Sequence, residues 1–259
     1  MSQARERYSQ DGYWIHPDPI FPEELIRRAV AGMDALRRGE YETGVPPEPS
    51  PWNPGDDPGR LCKIEQPQKA NRAIRELIAY PELGRLAAEV TGARWVQVWW
   101  VQLLLKPPTD DPSAKTKVGW HQDRQYWGIW EEGSELFTAW VALSDVGPES
   151  GPMRFVRGSH RWGLLGMGDF FGQDLDAQKR ALLERGLPWE EVVALLPPGG
   201  VSFHHCLTYH ASTPNLSTAP RRSFAIHMRT ERSRPVGDRR EGLARFIDDE
   251  WVCPVVYTS

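Results

Sequence analysis

The stretch GWHQDRQYW, Gly119 to Trp127, sets an imidazole and a carboxylate two residues apart, at His121 and Asp123. On an extended strand, positions i and i+2 share a face, so the pair can offer a nitrogen and an oxygen to one metal ion. A second His-x-Asp occurs at His16 and Asp18 in IHPDP. Pro17 and Pro19 flank that copy just ahead of a helical pattern, and Asp18 fits the turn that starts the helix, so this copy reads as structural. Two ligands hold a divalent ion poorly, and a third must come from His160, His204, His205, His210 or His227. In SFHHCLTYHAS, His204 and His210 share one strand parity and His205 has the other, which leaves two face-compatible positions. The next β-like run opens with Arg221 and Arg222. A ligand-bearing strand followed by a neighbour that carries an arginine places a cation beside the metal.

These residues need a frame, and 259 residues with 40% hydrophobic content are enough for one domain, 1–259, with a sizeable core. From about 20 to 92 the pattern is helical. PEELIRRAVAGMDALRRG carries Leu25, Ile26, Ala29, Val30, Met33 and Leu36 on one stripe, and NRAIRELIAYPELGRLAAEVTG repeats the pattern with a break at Pro81 and an end at Gly92. From about 94 to 231 the period falls to two. WVQVWWVQLLL, LFTAWVALSDV, MRFVRG, GGVSFHHCLTYHAS and RRSFAIHMRTE predict a mainly β core, a sandwich or barrel, with flanking helices. Two segments look unable to join it: the Pro-rich 41–60 and an insertion over about 158–192 that includes GLLGMGDFFG and one helix, DAQKRALLERG. Both are expected to cover the mouth of the β-core, with Phe170, Phe171 or Trp52 reaching the cavity.

Composition narrows the function classes. A net charge of −4 with interleaved acids and bases leaves no basic stripe for nucleic acid. No run approaches the roughly 20 apolar residues of a membrane helix, and the amino terminus has no signal core, so a cytoplasmic protein with no membrane partner is expected. Cys62, Cys206 and Cys253 are too far apart for a zinc-type pair and suggest neither a disulfide framework nor a thiolate metal site. A small-molecule substrate and a monomer or homodimer remain.

Four separated blocks, WHQD, SGPMRFVRGSH, PGGVSFHH and HASTPNLSTAPRR, together resemble the phytanoyl-CoA dioxygenase family of iron(II)- and 2-oxoglutarate-dependent oxygenases, from about Tyr13 to about Arg229. The family's order of His-x-Asp, distal histidine and an arginine eleven positions on selects His121, Asp123, His210 and Arg221. The resemblance implies a double-stranded β-helix, the jelly-roll core also found in cupins. It implies that His121, Asp123 and His210 are the catalytic metal ligands and that Arg221 and Ser212 hold the far carboxylate of 2-oxoglutarate. Trp140 and Gln102 resemble positions that line the cosubstrate and substrate cavity. Arg157 and Gly200 depart from the usual proline of PGSH and aspartate of PGD, at positions that touch neither metal nor cosubstrate.

Two neutral imidazoles and one carboxylate form the facial triad that suits iron(II) and leaves three positions open. The family fills two with 2-oxoglutarate and one with O2, releasing succinate and carbon dioxide as an unactivated C–H bond is oxidised. Hydroxylation is the expected outcome, with ring closure, desaturation or epimerisation as variants of the same chemistry. Halogenating relatives lack the carboxylate that Asp123 supplies here. A cupin-like metal isomerase or a non-catalytic binding protein is the alternative of another class, and 2-oxoglutarate binding separates them. Tyr126, Trp127 and Trp130 follow the ligand pair, and with Phe171 they suit a bulky or ring-containing substrate. Natural-product tailoring in secondary metabolism, antibiotic biosynthesis included, is the expected setting.

Overall fold

The computed structural model describes residues 2–237 and 240–259. In chain order the elements are α1 (Gln3–Asp11), β1 (Tyr13–Ile15), α2 (Glu23–Arg37), β2 (Cys62–Glu65), α3 (Arg72–Ile78), α4 (Pro81–Thr91), β3 (Trp95–Lys106) and β4 (Val118–His121). There follow β5 (Leu136–Ala142), β6 (Met153–Val156), α5 (Leu175–Leu183), β7 (Glu191–Ala194), β8 (Val201–His205), β9 (His210–Ser212), β10 (Arg221–Thr230) and β11 (Val255–Thr258). Among the described residues no helix is long and apolar enough to cross a membrane.

The helices form where capping and periodicity meet. Asn71 accepts a hydrogen bond from the Ile74 amide at the start of α3, Pro81 opens α4, and Gly92 closes it at φ 68°. The polar stretch QARERYSQD gives little sign of α1, which buries only Ala4, Tyr8 and Asp11.

All the strand pairs within the two sheets are antiparallel. The larger sheet runs β1-β8-β5-β10-β3-β11, with β2 also on β3, and the smaller runs β4-β9-β6-β7. Among the described residues no closed barrel forms. The larger sheet also takes β1, β2 and β11 from outside the 94–231 core expected from the sequence.

Alternation assigns the faces of the larger sheet. Phe137, Ala139 and Val141 of β5, Phe224, Ile226 and Met228 of β10, and Val201 and Phe203 of β8 pack against the apolar stripes of α2, α3 and α4. The intervening residues Thr138, Trp140, Ser202, His204, Arg221, Ala225 and His227 therefore lie on the opposite face, toward the smaller sheet. On β3 a register shift opposite His227 and Met228 changes the parity, so that Val96 and Val98 but then Val101, Leu103 and Leu105 meet the helices. Gln102, Leu104 and Lys106 then share the inner face.

The two irregular segments differ from each other, and the Pro-rich one from expectation. The Pro-rich stretch pairs with β2 through Glu48 N–H to Glu65 O and Trp52 N–H to Lys63 O. Trp52 is buried against α2, donating from Nε1 to Arg37 O at 3.3 Å with the Arg37 guanidinium over its ring. It does not line the metal cavity, because extended backbone pairing fixes it on the helix side. The insertion, by contrast, runs along β4: Gly119 N–H bonds Phe170 O and Asp169 N–H bonds Trp120 O. Gly168 permits this approach, since a Cβ there would stand 2.5 Å from His121 Cα.

Candidate active site

His121, Asp123 and His210 are buried and offer three ligand atoms within 4.8 Å of one another, the one such group among the described residues. His121 ends β4, but Asp123 is not on that strand. It opens a short 3-10 turn, Asp123–Tyr126, which swings its carboxylate back over the strand end. His210 opens β9, where it pairs with His121.

Hydrogen bonding sets the imidazole roles. His121 Nδ1 lies 2.8 Å from Gly119 O and His210 Nδ1 lies 2.9 Å from Thr208 O. A carbonyl can only accept, so both rings carry their proton on Nδ1 and leave the Nε2 lone pair for a metal. These Nε2 atoms stand 3.5 and 3.6 Å from Asp123 Oδ1. Burial, and then neighbouring His121, pushes His210 well below the usual imidazole range, which keeps it in the neutral form that ligates metals. Burial opposes ionisation of Asp123, but the imidazoles of His210, His121 and His204 around it hold its carboxyl well below the ordinary range.

His204, the other face-compatible histidine, takes a different part. Its Nε2 lies 3.2 Å from Asp123 Oδ2, an acceptor, so it donates there and is not a ligand in this tautomer. Thr138 Oγ1 donates to the same oxygen at 2.8 Å. The two oxygens of Asp123 are thereby separated, Oδ1 toward the ligating imidazoles and Oδ2 toward the larger sheet. The parity argument from SFHHCLTYHAS placed His204 and His210 on one run; they sit on β8 and β9, in different sheets, and meet at Asp123 from opposite sides.

Between the sheets lies a small cavity whose wall includes the triad, Gln102, Trp140, Ser212 and Arg221. Arg221 is 1% exposed. Its Nη1 donates to Gly151 O at 2.6 Å, its Nε has no partner, and its guanidinium stands 5.2 Å from the centre of the Trp140 ring. Burial pushes Arg221 down to about 9. Beside it Lys106, fully buried, donates to Ser212 Oγ at 2.6 Å; burial and then Arg221 push its ammonium well below its usual value. Neither cation has a carboxylate partner among the described residues. Such a pair calls for an anion with two oxygens to receive the guanidinium fork. Arg222 points the other way and reaches Asp34 of α2 at 3.3 Å, so the register of β10 turns Arg221, not its neighbour, inward.

An outer chamber adjoins this cavity and shares Gln102, His121, Asp123, Phe170 and His227 with it. Tyr126, Trp127 and Phe171 line it, together with Lys63, Glu65 and Trp100. Tyr126 Oη accepts from the Phe170 amide, and Phe170 packs edge-on against His121. Trp130 is not part of this wall. Three residues beyond Trp127 on a turn, it falls into the core, edge-on to Trp99 and beneath the Arg229 guanidinium. Lys106, Thr138 and His227 carry no motif; the lysine within the apolar run VQLLLKPP was the one legible signal.

This fold and site define a non-haem iron oxygenase that uses 2-oxoglutarate. The chain belongs to the phytanoyl-CoA dioxygenase family, whose model matches residues 8–223. It is 27% identical over 231 residues to the probable alpha-ketoglutarate-dependent hypophosphite dioxygenase of Stutzerimonas stutzeri, covering 87% of this chain and 77% of that relative. Among solved structures, the carbocyclase SnoK from nogalamycin biosynthesis matches with a TM-score of 0.70 at 24% identity, over 95% of this chain and 90% of the other. The epimerase SnoN from the same biosynthesis matches at 0.68 and 24%, over 91% and 86%. At that identity the two structures speak to the fold.

Proposed function

We propose that this oxygenase tailors a small molecule of secondary metabolism, with ring closure or epimerisation ahead of hydroxylation as the outcome. The observation that carries the reading is a pair of adjoining cavities with a common wall at Gln102, His121, Asp123, Phe170 and His227: the inner one holds the metal triad and a buried arginine with no carboxylate partner, and the outer one is aromatic. Iron(II) held by His121, Asp123 and His210 would supply, with 2-oxoglutarate and O2, the oxidant for an unactivated C–H bond. Arg221 binds the far carboxylate through its fork, and Ser212, whose Oγ already accepts from Lys106, keeps its own proton to donate to that carboxylate. Trp140 and Gln102 confine the cosubstrate from the larger sheet. Tyr126, Trp127 and Phe171 meet a ring-containing substrate in the outer chamber and exclude water from it.

The two facing sheets are read as a double-stranded β-helix within a single domain, and the 158–192 insertion as its lid. The presence of a carbocyclase and an epimerase among the similar folds supports the preferred outcome. Both require that the substrate carbon be held away from the hydroxyl that would otherwise add to it. A panel of ring-containing natural-product intermediates should yield one that stimulates succinate release, with mass spectrometry of the product reading the outcome. Loss of two hydrogens is expected for ring closure, and an unchanged mass for epimerisation when ascorbate is supplied as the two-electron reductant that this redox-neutral outcome needs; gain of an oxygen atom would return the assignment to hydroxylation. The same substrate should add hydrogen-exchange protection to 161–188, and absence of that gain would remove the lid.

A further inference from the structure

His204, Thr138 and His227 stand side by side on three neighbouring strands. Thr138 of β5 pairs with His204 of β8 on one side and with His227 of β10 on the other. All three face the smaller sheet, and two of them bond Asp123 Oδ2 directly. His227 does not touch Asp123; its Nδ1 lies 2.9 Å from Thr138 Oγ1.

Proton counting fixes the direction of this chain. An ionised carboxylate only accepts, so Thr138 must spend its single hydroxyl proton on Asp123 Oδ2. Thr138 Oγ1 can then only accept from His227, which places the His227 proton on Nδ1, a tautomer assigned from the network. Burial pushes His227 down to about 4, so the ring is neutral and this N–H is the only one it has. The ring is held in place edge-on to Trp127 at 4.8 Å and by Trp99 at 5.7 Å. An imidazole so oriented does more than fill space: without its donor, the Thr138 hydroxyl is free to rotate and the Oδ2 side of Asp123 is held by His204 alone.

We propose that His227 is a positioning residue for the metal-binding carboxylate: acting through Thr138, it locks Asp123 so that Oδ1 alone is presented beside His121 and His210. This rests on the reading of Asp123 as a metal ligand. Partners of this kind are worth 10–100-fold in metal affinity.

The test is calorimetric titration of the metal-free protein with manganese(II), which needs neither O2 nor turnover. Asparagine brings its amide N–H to the place of Nδ1, whereas glutamine reaches the place of Nε2, and both are polar. His227→Asn should bind manganese near the wild-type affinity and His227→Gln about 10–100-fold more weakly. Thr138→Val, which also removes the direct bond to Asp123, should bind at least as weakly as His227→Gln, Thr138→Ser should match wild type, and Thr138→Val with His227→Gln should be no weaker than Thr138→Val alone. Unchanged affinity in His227→Gln, equal losses in Asn and Gln, or losses that multiply in the double variant would overturn the proposal. Asp123→Ala is titrated alongside: should it retain affinity, the metal assignment itself is wrong, whereas its loss with an unaffected His227→Gln removes only the relay.

Discussion

The two ends of the inner cavity are built on opposite charges and the same omission. At one end Asp123, buried, is surrounded by imidazoles and the Thr138 hydroxyl; at the other Arg221, buried, donates to a carbonyl, with Lys106 behind the wall on the Ser212 hydroxyl. A buried charge without a partner costs several kcal/mol, and the usual remedy would be to pair the two signs. The outer chamber does so: Lys63 and Glu65 stand 3.1 Å apart, with Glu65 also accepting from Trp100 Nε1 at 2.6 Å. The inner cavity leaves its charges without a partner of opposite sign, which on the proposed reading keeps one end for a cation and the other for an anion. On the same reading the outer chamber, already neutralised, is left to select by shape and hydrogen bonding.

The sharpest way to break this contrast is at the metal end. His121→Ala or Asp123→Ala should abolish 2-oxoglutarate turnover measured as succinate, while His16→Ala, at the end of β1, should stay near wild type. Comparable losses at His16 would mean that the wrong His-x-Asp pair was chosen. The anion end comes next. Arg221→Ala should cost about 2–5 kcal/mol of cosubstrate binding, much of it from the stranded carboxylate. Arg222→Ala should leave the half-saturating 2-oxoglutarate concentration unchanged, because Arg222 serves Asp34 on the helix side; the reverse result would put the β10 register off by one.

The smallest effect lies just outside the cavity and contrasts two adjacent residues. His204 points inward, whereas His205 faces Tyr8 and His160, and burial pushes it down to about 4. An unfolded histidine titrates near 6.5, so between about pH 6.5 and 4 the unfolded chain binds a proton that the native state refuses. Stability should therefore fall on acidification across that window, by up to about 1.4 kcal/mol per pH unit for this group. His205→Asn retains an acceptor for the Leu207 amide that Nδ1 now receives, and denaturant melts across the window should show a flatter slope.

The site was legible where spacing carries it. His121 and Asp123 stand in WHQD and His210 and Arg221 in HASTPNLSTAPRR, the first and last of four blocks whose order is specific, and period-two alternation in LFTAWVA and RRSFAIHMRT marked the strands that hold Trp140 and Arg221. What failed to show was local geometry. SFHHCLTYHAS has no Gly, Pro or Asn at the turn that sends β8 and β9 to different sheets, so the parity shared by His204 and His210 reached a correct meeting point by a wrong route. Trp130 and Trp52 followed aromatic content alone, which does not separate a cavity wall from a core. Thr138 and His227 matter through cross-strand register, a property of pairing that a single strand's sequence does not contain.

The reservation of the two ends for opposite charges is tested most directly by an anaerobic titration of the iron(II)-loaded protein with 2-oxoglutarate and with pyruvate, followed by the visible absorption of the keto-acid chelate. Pyruvate keeps the chelating group and lacks the far carboxylate. The wild type should prefer 2-oxoglutarate strongly, and Arg221→Ala should lose most of that preference while still binding iron(II). Equal discrimination in the two proteins would contradict the account.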